Sequence, residues 1–222
     1  MFDASQSDPY RGPRLLMVER QLRARGIRDE RVLEAMARVP RHEFVRRESR
    51  EEAYDDHPLP IGDGQTISQP FVVAAMLEVL ALRPDDVVLE VGTGSGYETG
   101  VLAELARTVY SIERIAGLAD RARTVLAQLG YANITVVHGD GSLGLPDAAP
   151  FDAIVVAAAA PQVPDSLISQ LRDGGRMVVP VGSSYAQELQ LVRKIGDSST
   201  TLHLEGVRFV PLIGREGFQE AD

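Results

Sequence analysis

Apolar and polar positions change their rhythm partway along the chain. Near the N-terminus, RLLMVERQLRAR (14–25) puts Leu15, Val18 and Leu22 at helical spacing, and Gly26 ends the run. Asp29 is placed to cap a second helix with Val32, Leu33 and Met36 on one face, and Val39-Pro40 stops it. Residues 41–65 mix charges, prolines and glycines and read as short elements and loops. From Phe71 the pattern shifts. FVVAAMLEVLAL (71–82) suits a buried helix. Val/Ile-rich runs then alternate with helical stretches. Strands are expected over 87–92, 109–114, 134–140, 151–160 and 176–182, and helices over 98–106, 118–129 and 163–173, the last closed by Gly174-Gly175. ELQLVRKI (188–195) and TLHLEGVRFVPLIG (201–214) read as strands with no helix between them.

Near-continuous apolar strands are buried on both faces, and their alternation with helices implies right-handed crossovers. The expected fold class is therefore α/β. It is a Rossmann-like, doubly wound, mostly parallel sheet with helices on both faces, an antiparallel C-terminal edge and an N-terminal helical extension. A length of 222 residues fits one such domain over 13–222, after a disordered tail over 1–12. Within it, 13–70 would hold the N-terminal helices and an active-site loop, 71–182 the α/β core, and 183–222 the C-terminal strands.

Charge and composition narrow the function. The net charge is −9, and Lys194 is the only lysine. Such a chain lacks the basic face that a phosphate backbone needs, so no nucleic acid partner is expected. There is no cysteine, which excludes disulfides and thiol chemistry and fits a cytoplasmic location. No apolar run is long enough to span a membrane, and MFDASQSDPYRG has no apolar signal-peptide core. His42, His57, His138 and His203 lie far apart without ligand spacing, so no metal is expected.

VVLEVGTGSGYETG (87–100) carries the chemistry: a strand, a glycine loop with Gly92, Gly94 and Gly96, and a helix start. A dinucleotide fingerprint would need a third glycine where Tyr97 stands. The Walker lysine of a phosphate loop is also missing. Glu90, two residues before the first glycine, would repel a pyrophosphate and welcome an ammonium group. S-adenosyl-L-methionine has that group and no phosphate. Glu113 and Asp140 end the next two predicted strands, where ligands of open α/β sheets lie. Upstream, GDGQTISQP (62–70) holds Thr66 and Ser68. Ser68 is placed either to cap the helix that starts near Pro70 or to act in a site.

These segments resemble the protein-L-isoaspartate (D-aspartate) O-methyltransferase family of class I S-adenosylmethionine-dependent methyltransferases. The resemblance runs from about Met17 to Gly214. It is carried by VERQLRARGI, VPRHEFV, LPIGDGQTISQP, VLEVGTGSGY, VYSIER, HGDG, APFDAIVVAAAAPQVP, GGRMVVPVG and VRFVPLIG. It implies methylation of the α-carboxylate of L-isoaspartyl residues in damaged proteins and peptides, which starts their repair to aspartate. A monomer is expected, with neither nucleic acid nor membrane as a partner. Gly92, Thr93, Gly94, Ser95 and Gly96 would cradle the methionine part of the cofactor, and Glu90 would bind the cofactor with them. Glu113 and Arg114 would meet the ribose, and Asp140-Gly141 the adenine. Thr66, Ile67 and Ser68 would close over cofactor and substrate, with Ser68 as the catalytic-site residue. Val207, Arg208, Val210, Pro211 and Leu212 would hold the substrate peptide.

Two positions depart from the family pattern. Glu98-Thr99-Gly100 stands where many members have Gln-Thr-Ala, and Ala157 where many have threonine. Glu98 adds a negative charge near the cofactor's polar end. The alternative function is a methyltransferase of the same fold acting on an aspartate in a dedicated peptide. A fold kept without catalysis would show a broken glycine loop or a lost GQTIS segment, and neither is seen.

Overall fold

The computed structural model describes residues 8–219. Residues 1–7 of the expected tail lie outside them, but order begins earlier than expected. Helix α1 (Arg11–Met17) starts within the predicted tail and runs on through a π turn (Val18–Leu22) and a 3-10 turn (Arg23–Arg25) to left-handed Gly26. Long-range contacts cause this. Tyr10 stacks on His42 with ring centres 4.1 Å apart, and Asp8 pairs with Arg14 at 2.7 Å. Helix α2 (Glu30–Arg38) is capped by Asp29, whose side chain accepts the Arg31 N–H.

Strands β1 (Leu59–Gly62) and β2 (Gln65–Ile67) form a small antiparallel hairpin, with Asp63 and Gly64 at its tip in left-handed backbone. Helix α3 (Pro70–Leu80) follows directly. Ser68 does not cap it. The N-cap is Gln69, which makes no side-chain cap bond, and the Phe71 N–H donates to Asp56 at 3.1 Å.

The main sheet has seven strands: β3 (Val87–Val91), β4 (Thr108–Glu113), β5 (Ile134–His138), β6 (Phe151–Val156), β7 (Leu171–Gly182), β8 (Gln187–Ile195) and β9 (Ser198–Val207). Their order is β5-β4-β3-β6-β7-β8-β9. The first five in chain order run parallel, and β8 and β9 add antiparallel pairings at the C-terminal side. The chain builds outward from β3 through β4 and β5, then returns to β6 on β3's other side. The carboxyl ends of β3 and β6 therefore flank the switch point where ligands of such sheets bind.

Helices α4 (Tyr97–Leu105) and α5 (Ala116–Gln128) join α1, α2 and α3 around one buried cluster that includes Val88, Val109 and Val155. The opposite cluster, with Leu89, Ile112 and Ile154, is covered by the short helix α6 (Asp165–Ser169) and neighbouring turns. The helix expected over 163–173 is thus cut short. Leu171 already pairs with Phe151 as β7 begins, and the ladder resumes only at Ala153 with Arg176, so 172–175 bulge outward. The strand expected over 201–214 also ends early, at Val207. Beyond it the chain turns back: Leu212 donates its N–H to Ala159, and Ala159 its own to Val210. Asn133, the only asparagine, gives its amide hydrogens to the Ala103 and Ala106 carbonyls at 2.9 and 3.2 Å and fastens the start of β5 to the end of α4.

Candidate active site

Strand parity decides which side chains reach the carboxyl end. On β3, Glu90 shares the face of Val88, beneath α4, and is fully buried. Its Oε2 accepts hydrogen bonds from the hydroxyls of Thr99 and Ser111, both at 2.5 Å. Ser111 sits opposite Glu90 on β4. Because Ser111 donates to Glu90, the Thr93 hydroxyl donates to Ser111. Glu90 is not at the ligand surface as expected. It anchors the glycine loop and the first turn of α4 from beneath, and its Oε1 has no hydrogen-bond partner among the described residues.

The loop itself bends around Glu113 at the end of β4. One Glu113 oxygen accepts the Gly94 N–H and the other the Ile115 N–H, each at 2.8 Å. Gly96 faces away from the ligand side. Its backbone is left-handed, and a Cβ there would stand 3.1 Å from that of Ala122 on α5. Its role is close packing of the loop on a helix.

A cavity opens above this loop. Thr66, Ile67, Ser68, Gly92, Thr93, Gly94, Ser95, Glu113, Arg114 and Gly141 line it, as do Val210, Pro211 and Leu212. Glu90, Gly96 and Asp140 do not. Asp140 instead ties down the C-terminal segment: its carboxylate accepts the Ser142 N–H and hydroxyl and the Arg215 N–H. Burial opposes its ionisation, but these hydrogen bonds outweigh it and hold the carboxyl below its ordinary range. Asp140 faces a shallower recess beside the main cavity, with Arg114 and Ile213.

Glu98, expected to add a negative charge near the cofactor's polar end, is in the wall. It is 7% exposed, and its Oε1 has no hydrogen-bond partner among the described residues. Burial, then repulsion from Glu90, raises its pKa well above the ordinary carboxylate value. Glu90 is raised too, by burial and by Glu113, against its two hydroxyl bonds. Tyr97 is fully buried and stacks under the Arg41 guanidinium, 4.9 Å from the ring centre. Burial lowers Arg41 to about 10.

A second, wider groove adjoins the first. Val207, Arg208, Val210 and Pro211 line it, together with Arg25, Phe71, Tyr185 and Gln187. The last four come from three distant parts of the chain, so no local motif marks them. Thr66, Ser68, Ala157, Val210 and Pro211 line both spaces. Ser68 stands half-buried at the join, and its hydroxyl has no partner among the described residues.

Residues 15–217 match the family model described as Protein-L-isoaspartate(D-aspartate) O-methyltransferase. A protein-L-isoaspartate O-methyltransferase of Methanoculleus marisnigri is 55% identical over 96% of this chain and 97% of its own. One from Syntrophobacter fumaroxidans is 56% identical over 91% and 95%. Among solved structures, a protein-L-isoaspartate O-methyltransferase superposes with a TM-score of 0.84 at 28% identity, over 93% of this chain and 67% of its own. A Plasmodium falciparum protein assigned to the same family, solved with S-adenosyl-L-homocysteine, gives 0.79 at 27% identity over 90% and 98%.

Proposed function

The chain belongs to the protein-L-isoaspartate(D-aspartate) O-methyltransferase family, and from that premise we propose how its own residues share the work. It is an enzyme that transfers a methyl group from S-adenosyl-L-methionine to the α-carboxylate of L-isoaspartyl residues in damaged proteins and peptides. The methyl ester starts their repair to aspartate.

The residues present fit the cofactor. An orphaned, buried carboxylate oxygen in the cavity wall suits a cationic ligand and disfavours a pyrophosphate. Each Glu113 oxygen accepts one backbone N–H and keeps a lone pair for a ribose hydroxyl. Thr93, Gly94 and Ser95 offer a wall from the glycine loop, and Gly141 lines the cavity without a side chain to obstruct a base.

Bound S-adenosyl-L-methionine supplies a methyl group on a positively charged sulfur. The substrate carboxylate is already ionised at neutral pH, with a reference pKa of about 3.5. No base is needed to prepare it. The protein's task is alignment, which contributes on the order of 7–11 kcal/mol in favourable cases. Ser68 donates a hydrogen bond to that carboxylate and aims it through the join. Val207, Arg208 and Phe209 support the peptide along the groove, and Pro211 with Thr66 keeps water out of the join.

The single observation that carries this reading is the shared wall: Ser68 and Thr66 border both the cavity and the adjoining groove. The test is Ser68→Ala. Because Ser68 caps no helix, turnover on an isoaspartyl peptide is expected to fall at least tenfold, with S-adenosylhomocysteine affinity and melting temperature unchanged. Unchanged turnover would remove Ser68 from the mechanism. A wild-type protein that methylated a matched aspartyl peptide equally well would overturn the choice of substrate. We also propose a cytoplasmic monomer: a chain without cysteine fits a reducing compartment, and both spaces are walled by one chain.

A further inference from the structure

Two buried carboxylates lie at the cavity, one in its wall and one beneath the glycine loop, and each has one buried oxygen without a hydrogen-bond partner among the described residues. Glu90 is the rear member, held by Thr99 and Ser111. Glu98 is the front member and lines the cavity. Leaving such oxygens unmet is costly, so their arrangement calls for a donor. Among the described residues none donates to either oxygen. Glu113, the next carboxylate, is spent on two backbone N–H groups. On α4 the neighbour is Tyr97, and the Arg41 guanidinium lies over the Tyr97 ring. Arg114 lines the same cavity from the end of β4. The opposite wall brings Gln65, Thr66, Ile67 and Ser68, none of which titrates.

We propose that Glu98, backed by Glu90, seats the α-ammonium group of the cofactor's amino-acid end, and that the pair releases a proton to solvent when this cation enters. This rests on the cofactor reading above and adds to it a specific residue and a proton count. In the empty protein, two adjoining buried carboxylates resist ionising together, and a proton stays on the pair. An ammonium against Glu98 makes ionisation of the pair favourable. The sign follows: binding strengthens as pH rises through the pair's raised range, and weakens below it, where the cation must displace protons. Glu98 is then a specificity residue that favours a cofactor whose amine is intact.

The test is calorimetric titration of the whole protein with S-adenosylhomocysteine and with its deaminated analogue, in two buffers of different ionisation heat, from about pH 5.5 to about 8.5, above the ordinary carboxylate range. Wild-type protein is expected to release a proton with S-adenosylhomocysteine and none with the analogue, and to prefer the former by about ten- to a hundredfold. Glu98→Gln should lose both the proton release and most of the preference. The wild-type comparison stands without the variant, should that variant fold poorly. Equal binding of both ligands by the wild type, or no proton release, overturns the proposal while leaving the cofactor reading intact. Failure of the wild type to bind S-adenosylhomocysteine at all overturns both.

Discussion

Glu113→Gln probes the joint on which the cofactor wall turns. The native carboxylate is nearly buried and accepts one backbone N–H on each oxygen, from Gly94 in the glycine loop and Ile115 at the start of α5. A glutamine fits the same space but can accept on one side only. Its NH2 group would face a backbone donor, and the surviving bond would lose its ionic character. Losing a charge-assisted bond costs about 1.5–3 kcal/mol, and the stranded N–H adds to that. Removing the charge also relieves repulsion on Glu90, which works the other way. The balance is a loss of about 2 kcal/mol, or roughly 4–8 °C in melting temperature for a chain of this size. The same substitution removes an acceptor for a ribose hydroxyl, so S-adenosylhomocysteine should bind about tenfold more weakly. Thermal melting with and without ligand measures both. A variant that melts within a degree of wild type (roughly the resolution needed, given about 2–4 °C per kcal/mol) and binds normally would refute the view that Glu113 shapes the loop.

Two further substitutions test neighbouring parts. Asp140 is held ionised below its ordinary range, so its contribution to stability is present above about pH 3.9 and is lost as pH falls through its lower folded value. Melting curves should therefore separate wild type from Asp140→Asn at pH 7 and bring them together in acid. A gap that is constant across pH would contradict this. Gly141→Ala places a Cβ 2.6 Å from Val91 Cγ1, on the cavity wall. About 1–3 kcal/mol of overpacking is expected, with weaker cofactor binding, and a variant as stable as wild type would show that Val91 can yield.

The parallel core was legible because its signals are local. Val87–Val91, the glycines after it and the helix beginning at Tyr97 announce themselves within about a dozen residues. What was missed depends on distant partners. The sequence leaves Ser68 as either a helix cap or a site residue, and only the fold removes the cap, because Asp56 accepts the Phe71 N–H. The stretch after Ser169 keeps a helical pattern, yet Gln170 turns its amide to Leu143 and Leu145, and Leu171 enters the sheet. Glu90 departs from its expected place because strand parity points it under α4, while the helix start carries Glu98 to the cavity, near the cofactor's polar end as its position suggests. The groove's Arg25 and Tyr185 carry no motif, since only the fold brings them beside Ser68.

The pinned asparagine bears on how this protein ages. Succinimide formation requires a backbone nitrogen to reach the preceding side-chain carbonyl, and Asn133 is followed by a strand-bound, β-branched Ile134 while its amide is held by two carbonyls. Deamidation at the chain's only asparagine is therefore suppressed. Three Asp-Gly pairs are left. Asp140 and Asp173 accept backbone N–H groups that hold them in place. Asp63 sits exposed at the hairpin tip, before a glycine free to turn. Spontaneous isoaspartate is expected there first, and peptide mapping after long incubation would refute this by finding it first at 133. The enzyme's shelf life would then be set at the loop that leads into Ser68, by the same lesion it repairs in others.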